Sequence, residues 1–497
     1  MNESNSNAAR AARLSTLIRK ELKNILLSPK FAVTFSLCAV LLLLSVYVGI
    51  REYQASARQY ATSTQLVGEE LREQSHWMAL NNRTYREPDP MQIFVSGVSN
   101  DIGRWSSISQ QEPVKLRQSV YSDDPIFALF RFFDFGFIVK IVLSLFAFLF
   151  TYDAINGERE SGTLAVTFAN PLPRARYLIG KLIGSWLGLV IPLTVPVALS
   201  LLLLLLFAVP FGGSEWARLL LLLGVSAAYF TFFIAFGLLV STLTRHSNIA
   251  FLICLVAWIT FILVLPRAGV AVASQTVSVP TVAEVEAQED AYAKDRWKEH
   301  GAEFEKRLRE RQALTSSMSK EEREKSDNDH LWGWMEEDDA KRKEVQRSID
   351  DYGIRLQEDL RNREREQEQL AFILSRFSPA SAYELALLDI AGTNIDLKSR
   401  YEDAMRSYRT AFNSYTDRKQ KESGDIGGVR VTMDSQTGLT ITTPREKGSL
   451  DLTGMPRFVK PQSGSKFPLV DTGILILFTL LSFGASLFAF SRYDLRS

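Results

Sequence analysis

The residues best suited to chemistry in this 497-residue chain form one short charged run between two long apolar stretches. Glu158, Arg159 and Glu160 are expected to form an exposed charged turn. Gly162 lets another backbone approach closely, and Leu164, Val166 and Phe168 can be embedded in an interface. The candidate contact residues are Glu158, Arg159, Glu160, Ser161, Gly162, Thr163 and Leu164. These residue types favour binding to another protein over bond-making chemistry.

The sequence carries no motif of a catalytic or nucleotide-binding site. A G-x-x-x-x-G-K-[ST] phosphate loop is absent, because Gly180-Lys181 is followed by Leu182 and lacks the upstream glycine. Neither H-E-x-x-H nor G-x-S-x-G occurs, and the four histidines show no metal-ligand spacing. We therefore predict that the chain is not an enzyme and holds no cofactor or metal of its own.

Three charged residues in or beside apolar stretches, Asp134, Lys140 and Asp471, are candidates for a polar site within the membrane. Lys140 either lines a route between helices, with Asp134 or Asp471 as its partner, or extends its long stem to the lipid headgroups. The sequence leaves both interpretations open.

Six long apolar stretches predict an all-α polytopic membrane protein. Each can cross a hydrocarbon core that takes roughly 20 helical residues. The predicted spans are Phe31–Ile50, Phe133–Phe150, Leu182–Val209, Leu219–Ser241, Ile249–Leu265 and Leu469–Phe490. Segments 1–30, 51–132, 151–181, 266–468 and 491–497 flank or separate them. The predicted fold is six transmembrane helices plus a large, mainly helical domain on one side.

Basic residues beside the spans predict the orientation. They lie in segments 1–30 and 151–181, in the loop 242–248 with Arg245, and in the tail 491–497, all on one face if there are six spans. The positive-inside rule then places both termini in the cytoplasm, with 51–132 and 266–468 on the opposite side. Leucine spacing in 1–30 predicts an amphipathic helix in the headgroup region.

Segment 266–468 is predicted to contain a long, charged helical hairpin. Apolar residues recur at intervals near three and four from Val345 to Phe377, and an upstream set from Val285 to Leu308 can pair with them antiparallel. The charged stretch Thr315–His330 is the expected turn.

The rest of the outside domain is expected to hold together without disulfides. Both cysteines, Cys38 and Cys254, fall in predicted spans, which leaves packing, helix pairing or a partner to stabilise the domain. Alternating residues over 429–442 indicate a small β-hairpin, although the glycines before it also favour mobility.

The segment Tyr152–Leu164, followed by Asn170-Pro171 and Leu178-Ile179-Gly180-Lys181, resembles the type-2 permeases of ABC exporters. In that family an E-R-E-x-G-T-L run forms the coupling helix received by the ATPase subunit. The tail from Ser491 to Arg496 is similar to their R-Y-D-x-R ending. The stretch from Ser378 to Thr393 resembles members with a large insertion before the last span, related to permeases of nitrous-oxide-reductase maturation and gliding motility. The resemblance covers almost the whole chain, but the large outside domain departs from simple drug exporters, so no substrate carries over.

The resemblance implies a permease subunit of an ATP-driven ABC transporter in the bacterial inner membrane, acting in export. ATP and Mg would bind in a separate ABC ATPase that contacts the loop between spans two and three. Six spans are half of the usual twelve, so a second permease copy or a paralogue is an expected partner, as is a periplasmic protein; no nucleic acid is expected. The alternative is an ATPase-driven mechanotransmitting or scaffold component that acts on a periplasmic partner without solute transport.

Overall fold

The structure, a computed structural model, describes residues 2–77, 80–109, 114–119, 133–169, 172–315, 320–423, 430–434, 438–442 and 450–492. Two compact units divide the chain. Met1–Val264 and Ser378–Ser497 form the membrane unit, and the intervening Leu265–Phe377 forms the hairpin unit. Asn170, Pro171 and the tail from Tyr493 onward, which carried part of the family resemblance, lie outside the described residues.

Six helices among the described residues are long and apolar enough to cross a membrane, which confirms the prediction of an all-α polytopic membrane protein. We name them spans 1 to 6: Pro29–Glu73, Phe135–Glu160, Arg174–Leu206, Gly213–Leu243, Ser247–Thr276 and Leu469–Ser491. Several outrun their predicted apolar cores, because polar helix formers continue the backbone hydrogen bonding past the apolar residues. Span 1, for example, continues more than twenty residues beyond Ile50 to Glu73.

Two spans contain a stretch of π-helix. Span 2 is built from Phe135–Phe137, the π-helical Ile138–Leu143, Ser144–Thr151 and the short helix Asn156–Glu160. Span 5 comprises Ser247–Ile259, the π-helical Thr260–Val264 and Leu265–Thr276. Pro192 and Pro196 lie inside span 3, where each removes one backbone donor.

The leader helix, Asn2–Leu26, packs along the first half of span 3. Three glycines one helical turn apart, Gly180, Gly184 and Gly188, form the contact stripe on span 3. A Cβ atom on any of them would crowd the leader residues Leu17, Glu21 and Ile25. Small residues at this spacing let two helix backbones approach closely. The predicted amphipathic helix is therefore fixed against a span and buries its inner face there.

The membrane unit has a second hydrophobic core, formed by segments that the sequence assigned outside the membrane. The end of span 1, the helix Asp396–Ser423 and the segment 450–458 enclose Trp77, Met405 and Phe412. Strands Asn82–Tyr85 and Trp105–Ile108 pair antiparallel beside them, with Asn82 opposite Ile108. The helix Pro379–Ala391 packs against spans 4 and 6. Apolar packing and hydrogen bonds such as that from Asn82 Nδ2 to Tyr408 Oη at 2.6 Å hold this region together. Cys38 and Cys254 are both buried and free.

The predicted small β-hairpin is also present. Strands Arg430–Asp434 and Gly438–Thr442 pair antiparallel, with Val431 opposite Ile441. The alternation read from the sequence therefore marks real strands. The other strand pair, at 82–85 and 105–108, has no comparable sequence signal, because each strand has only four residues and they lie twenty residues apart.

The hairpin unit contains the predicted antiparallel pair of charged helices, Val282–Thr315 and Lys320–Ser375. Tyr292 and Tyr352 stack across the pair with ring centroids 4.1 Å apart. The predicted turn was too long: the second helix already begins at Lys320, within the expected turn Thr315–His330. Residues 320–330 are rich in Lys and Glu, which are good helix formers, so their charge did not indicate a loop.

Candidate functional site

The segment between spans 2 and 3 forms a tight turn between two short helices. Asn156–Glu160 and Thr163–Phe168 flank Ser161 and Gly162, and Gly162 has a φ of 70°, in the left-handed region where a Cβ is disfavoured. The Thr163 hydroxyl donates to the Glu158 carbonyl oxygen at 3.2 Å and so closes the turn. Local hydrogen bonding thus gives the segment a defined shape.

The tip of this turn is exposed, and we call it the apex: Glu160, Ser161, Gly162, Thr163, Ala165 and Val166. Val166 is 71% exposed, so its apolar side chain is uncovered at the tip of the turn. Leu164 is only 4% exposed and packs in the protein's own core. The expectation that Leu164 is embedded in an interface with another protein is therefore wrong. Phe168 likewise packs internally, 5.2 Å from the Tyr177 ring.

Glu158 was expected in an exposed charged turn, but it points into the protein. Its carboxylate accepts hydrogen bonds from Tyr177 Oη at 2.8 Å and from Lys181 Nζ at 3.0 Å. Lys20 Nζ, on the leader helix, donates to the same carboxylate at 2.9 Å. The side chain is 12% exposed. Glu158 therefore belongs to an internal ion network.

Lys181 lies at the centre of that network. Its side chain is 7% exposed and its Nζ also donates to Glu21 Oε2 at 2.7 Å, so one buried ammonium is shared by two carboxylates. A buried charge is tolerated when it is paired and hydrogen-bonded in this way. We call Lys181, Glu21, Glu158, Lys20 and Tyr177 the Lys181 network. It joins the leader helix, the turn and span 3.

Further hydrogen bonds tie the same turn to spans 4 and 5. Ser241 Oγ in span 4 accepts from the backbone N–H groups of Ile155 at 3.0 Å and Asn156 at 3.3 Å. Glu160, although exposed, accepts from the backbone N–H and the hydroxyl of Ser247, each at 2.8 Å. Arg159 is only partly exposed. A displacement of the apex would therefore move the ends of four helices with it.

The candidate intramembrane residues do not form one site. Lys140 forms an ion pair at 2.8 Å with Glu384, which was not among the partners suggested by the sequence. Asp134 instead caps the start of span 2, accepting from Phe137 N at 2.8 Å and Ser96 N at 3.1 Å. Asp134, Lys140 and Glu384 do line one cavity of about 180 Å³. Asp471 is buried in the first turn of span 6 and does not line it.

Two parts of this arrangement were missed in the sequence. Glu384 lies 244 positions from Lys140 and Glu21 lies 160 from Lys181, so no local pattern joins them. The glycine stripe Gly180, Gly184 and Gly188 was a usable signal for close helix packing at the start of span 3.

Six apolar helices among the described residues, with a hydrogen-bonded turn between spans 2 and 3, define a multi-pass membrane protein. The family model for ABC-2 family transporter proteins matches residues 15–495, so the chain belongs to that family. It is a permease, the membrane component of such a transporter rather than its ATPase. A search of curated proteins found no match.

Proposed function

We propose that this chain is the permease subunit of an ATP-driven exporter in a bacterial inner membrane, with both termini in the cytoplasm. A separate ABC ATPase, which binds ATP and Mg, docks on the apex. A second permease copy or a paralogue supplies the other six spans. Family membership supports an ATPase partner in general, and the basic residues of segments 1–30 and 151–181 support the orientation.

The observation that carries this proposal is the contrast within the turn between an exposed tip and a paired interior. Val166 presents an uncovered apolar side chain, whereas Glu158 is held by Lys181 and Lys20. An exposed apolar residue on a rigid, hydrogen-bonded support has the properties of a binding anchor. Because the Lys181 network joins the leader helix and span 3, force applied at the apex would reach the spans.

The proposal is tested with Val166→Asp in complex with the ABC ATPase partner of this chain. We expect co-purification of the ATPase to fall by at least about tenfold, because a charge would be placed in a desolvated contact. Ile354→Asp is the matched control, since Ile354 is also exposed, at 55%, but belongs to the hairpin unit. Both variants should insert in the membrane normally. Unchanged ATPase recovery with Val166→Asp would remove the apex from the interface.

The construction of the hairpin unit favours a second candidate function, transmission of movement to a periplasmic partner without solute transport. Its longer helix has 56 residues, which corresponds to about 84 Å at 1.5 Å per residue. Ion pairs such as Lys341 with Glu303 at 2.6 Å cross between the two helices. A long helix pair held together by ion pairs between its helices has the form of a lever that transmits movement along its length.

A register-matched deletion separates the two candidates. Arg296 Nε and Ser348 Oγ lie 3.4 Å apart across the pair, so removing 297–347 and joining the ends through a Gly-Ser turn keeps the helix pairing below the cut. If the hairpin transmits movement, the shortened chain should insert, bind its ATPase and hydrolyse ATP with it, yet lose its output in cells. Full output in cells after the deletion would contradict the transmission function and leave solute export.

A further inference from the structure

A second charged cavity lies in the membrane unit, away from the Lys181 network. It has a volume of about 260 Å³ and forms where span 4 begins, where the helix Pro379–Ala391 ends and where segment 460–464 passes. Four cationic side chains line it, Arg86, Arg218, Arg400 and Lys460, together with three carboxylates, Glu87, Asp89 and Glu215. The lining thus carries a net charge of +1.

The carboxylates are all engaged by only two of these cations. Arg218 pairs with Asp89 at 3.2 Å and with Glu215 at 2.7 Å. Lys460 pairs with Glu87 at 3.0 Å.

The other two arginines have no carboxylate partner among the described residues. Arg86 Nη2 donates to the Ser99 carbonyl oxygen at 2.5 Å, and its guanidinium lies over the Tyr401 ring. Arg400 donates from Nη2 to the Gly392 carbonyl oxygen at 2.9 Å and to Asn394 Oδ1 at 3.4 Å, and from Nε to the Asp396 carbonyl oxygen at 3.4 Å. A guanidinium has five N–H donors and readily binds anionic oxygens with two of them. Two lining arginines therefore retain donor groups and uncompensated charge.

Two buried polar atoms in the lining also lack a hydrogen-bond partner within the described chain: Arg86 Nε and Thr393 Oγ1. Thr393 is 1% exposed. Buried donors are normally satisfied, and an unsatisfied one costs free energy unless a ligand or water meets it. Burial lowers the pKa of Arg86 to about 10, so its guanidinium still carries its charge at pH 7.

The backbone around Arg400 is shaped to hold its guanidinium in place. Gly392, whose carbonyl receives it, has a φ of 71° and ends the helix Pro379–Ala391. Gly464 passes so close that a Cβ there would overlap the guanidinium. The position of this charged group is therefore fixed before any ligand arrives, which lowers the entropy cost of binding.

We propose that this cavity binds a phosphate group through Arg86, Arg400 and Thr393. These donors come from three chain segments, an arrangement that suits the several oxygens of a phosphate better than one planar carboxylate. The phosphate belongs either to a soluble phosphate ester or to a phospholipid headgroup, because the cavity lies where span 4 begins. This site is independent of ATPase docking, and its test measures binding alone.

The test uses the full chain in phosphatidylcholine nanodiscs, titrated with inorganic phosphate at constant ionic strength. We expect saturable binding that Arg400→Gln weakens by at least about tenfold, since a charge-assisted hydrogen bond is lost. Thr393→Val should weaken phosphate binding several-fold. Because this variant removes no internal hydrogen bond, it still tests the proposal if Arg400→Gln fails to fold. Arg406→Gln is the control, because Arg406 lies on the same helix but pairs with Asp403 at 2.8 Å outside the cavity.

Nanodiscs that contain phosphatidylglycerol distinguish the two sources of phosphate. Suppression of phosphate binding there, at the same ionic strength, would assign the site to a lipid headgroup. Equal phosphate binding in both lipids would assign it to a soluble ester. The proposal is overturned if the wild-type chain binds neither inorganic phosphate nor phosphatidylglycerol, or if Arg400→Gln and Thr393→Val bind as tightly as Arg406→Gln.

Discussion

The Lys181 network and the cavity around Arg400 are both clusters of charged residues in the membrane unit, but they differ in how their charges are paired. In the network, the buried Lys181 ammonium meets two carboxylates, and Glu158 meets two lysines and a tyrosine hydroxyl. In the cavity, Arg86 meets a backbone carbonyl oxygen and the Tyr401 ring, and Arg400 meets backbone and amide oxygens, with no carboxylate partner among the described residues. A cluster that satisfies itself holds helices together, whereas one that leaves donors unmet has capacity for a ligand.

This difference concerns energy as well as geometry. Buried ions repay their desolvation only through mutual attraction and hydrogen bonds, so a complete network resists the loss of any member. An incomplete cluster keeps part of the desolvation cost in the empty state, and a ligand that supplies the missing partners recovers it. The two clusters should therefore respond to mutation with different signs.

The largest expected effect is that of Lys181→Met. It leaves the carboxylates of Glu21 and Glu158 without the cation that they share. This loss should lower the free energy of unfolding by about 3–5 kcal/mol. Thermal or denaturant unfolding of the purified chain in detergent measures the change.

Lys20→Met is the control for this prediction, because Lys20 contacts the same Glu158 carboxylate but is 42% exposed. An exposed pair of this kind contributes about 0–1 kcal/mol. If Lys181→Met cost no more than Lys20→Met, the network would not be a structural element, and the contrast with the cavity would disappear.

Local pattern predicted much of this fold from sequence. Apolar stretches located the six spans, and three- and four-residue spacing identified the helix pair whose contact Tyr292 and Tyr352 mark. Strand alternation located Arg430–Asp434 and Gly438–Thr442. Each of these features depends on residues within a few positions of one another, which is the range over which helix and strand periodicity acts.

The charged sites could not be predicted in the same way. A run such as Glu158-Arg159-Glu160 is equally compatible with exposure to solvent and with burial in an ion network. Glu158 lies in such a network because it pairs with Lys181 and with Lys20, which lies 138 positions away in the sequence. The same holds for the pairing of Lys140 with Glu384. Periodicity specifies which face of a helix is apolar, but the partner of a charge depends on tertiary packing. The coupling role of the apex remains a prediction.

The smallest expected effect is that of Thr393→Val on the free energy of unfolding. It gives the sharpest comparison, because the sign of this effect should depend on whether phosphate is present. Thr393→Val replaces a buried hydroxyl that has no partner among the described residues with a methyl group of the same shape. Without phosphate the variant should gain up to about 1 kcal/mol in the free energy of unfolding. With saturating phosphate the wild-type chain is stabilised more, since a ligand bound only to the folded state raises its stability, and the advantage of the variant should vanish or reverse.

Ser241→Ala is the counterpart in the paired region. The Ser241 hydroxyl accepts from the N–H groups of Ile155 and Asn156, so its removal leaves two buried donors unmet and should cost about 1–3 kcal/mol with or without phosphate. Unfolding of both variants at two phosphate concentrations measures the comparison. If Thr393→Val were as destabilising as Ser241→Ala in phosphate-free buffer, the Thr393 hydroxyl must already be satisfied in the empty protein. The polar groups of the cavity, like those of the Lys181 network, would then be satisfied within the protein, and phosphate binding there would have no physical basis.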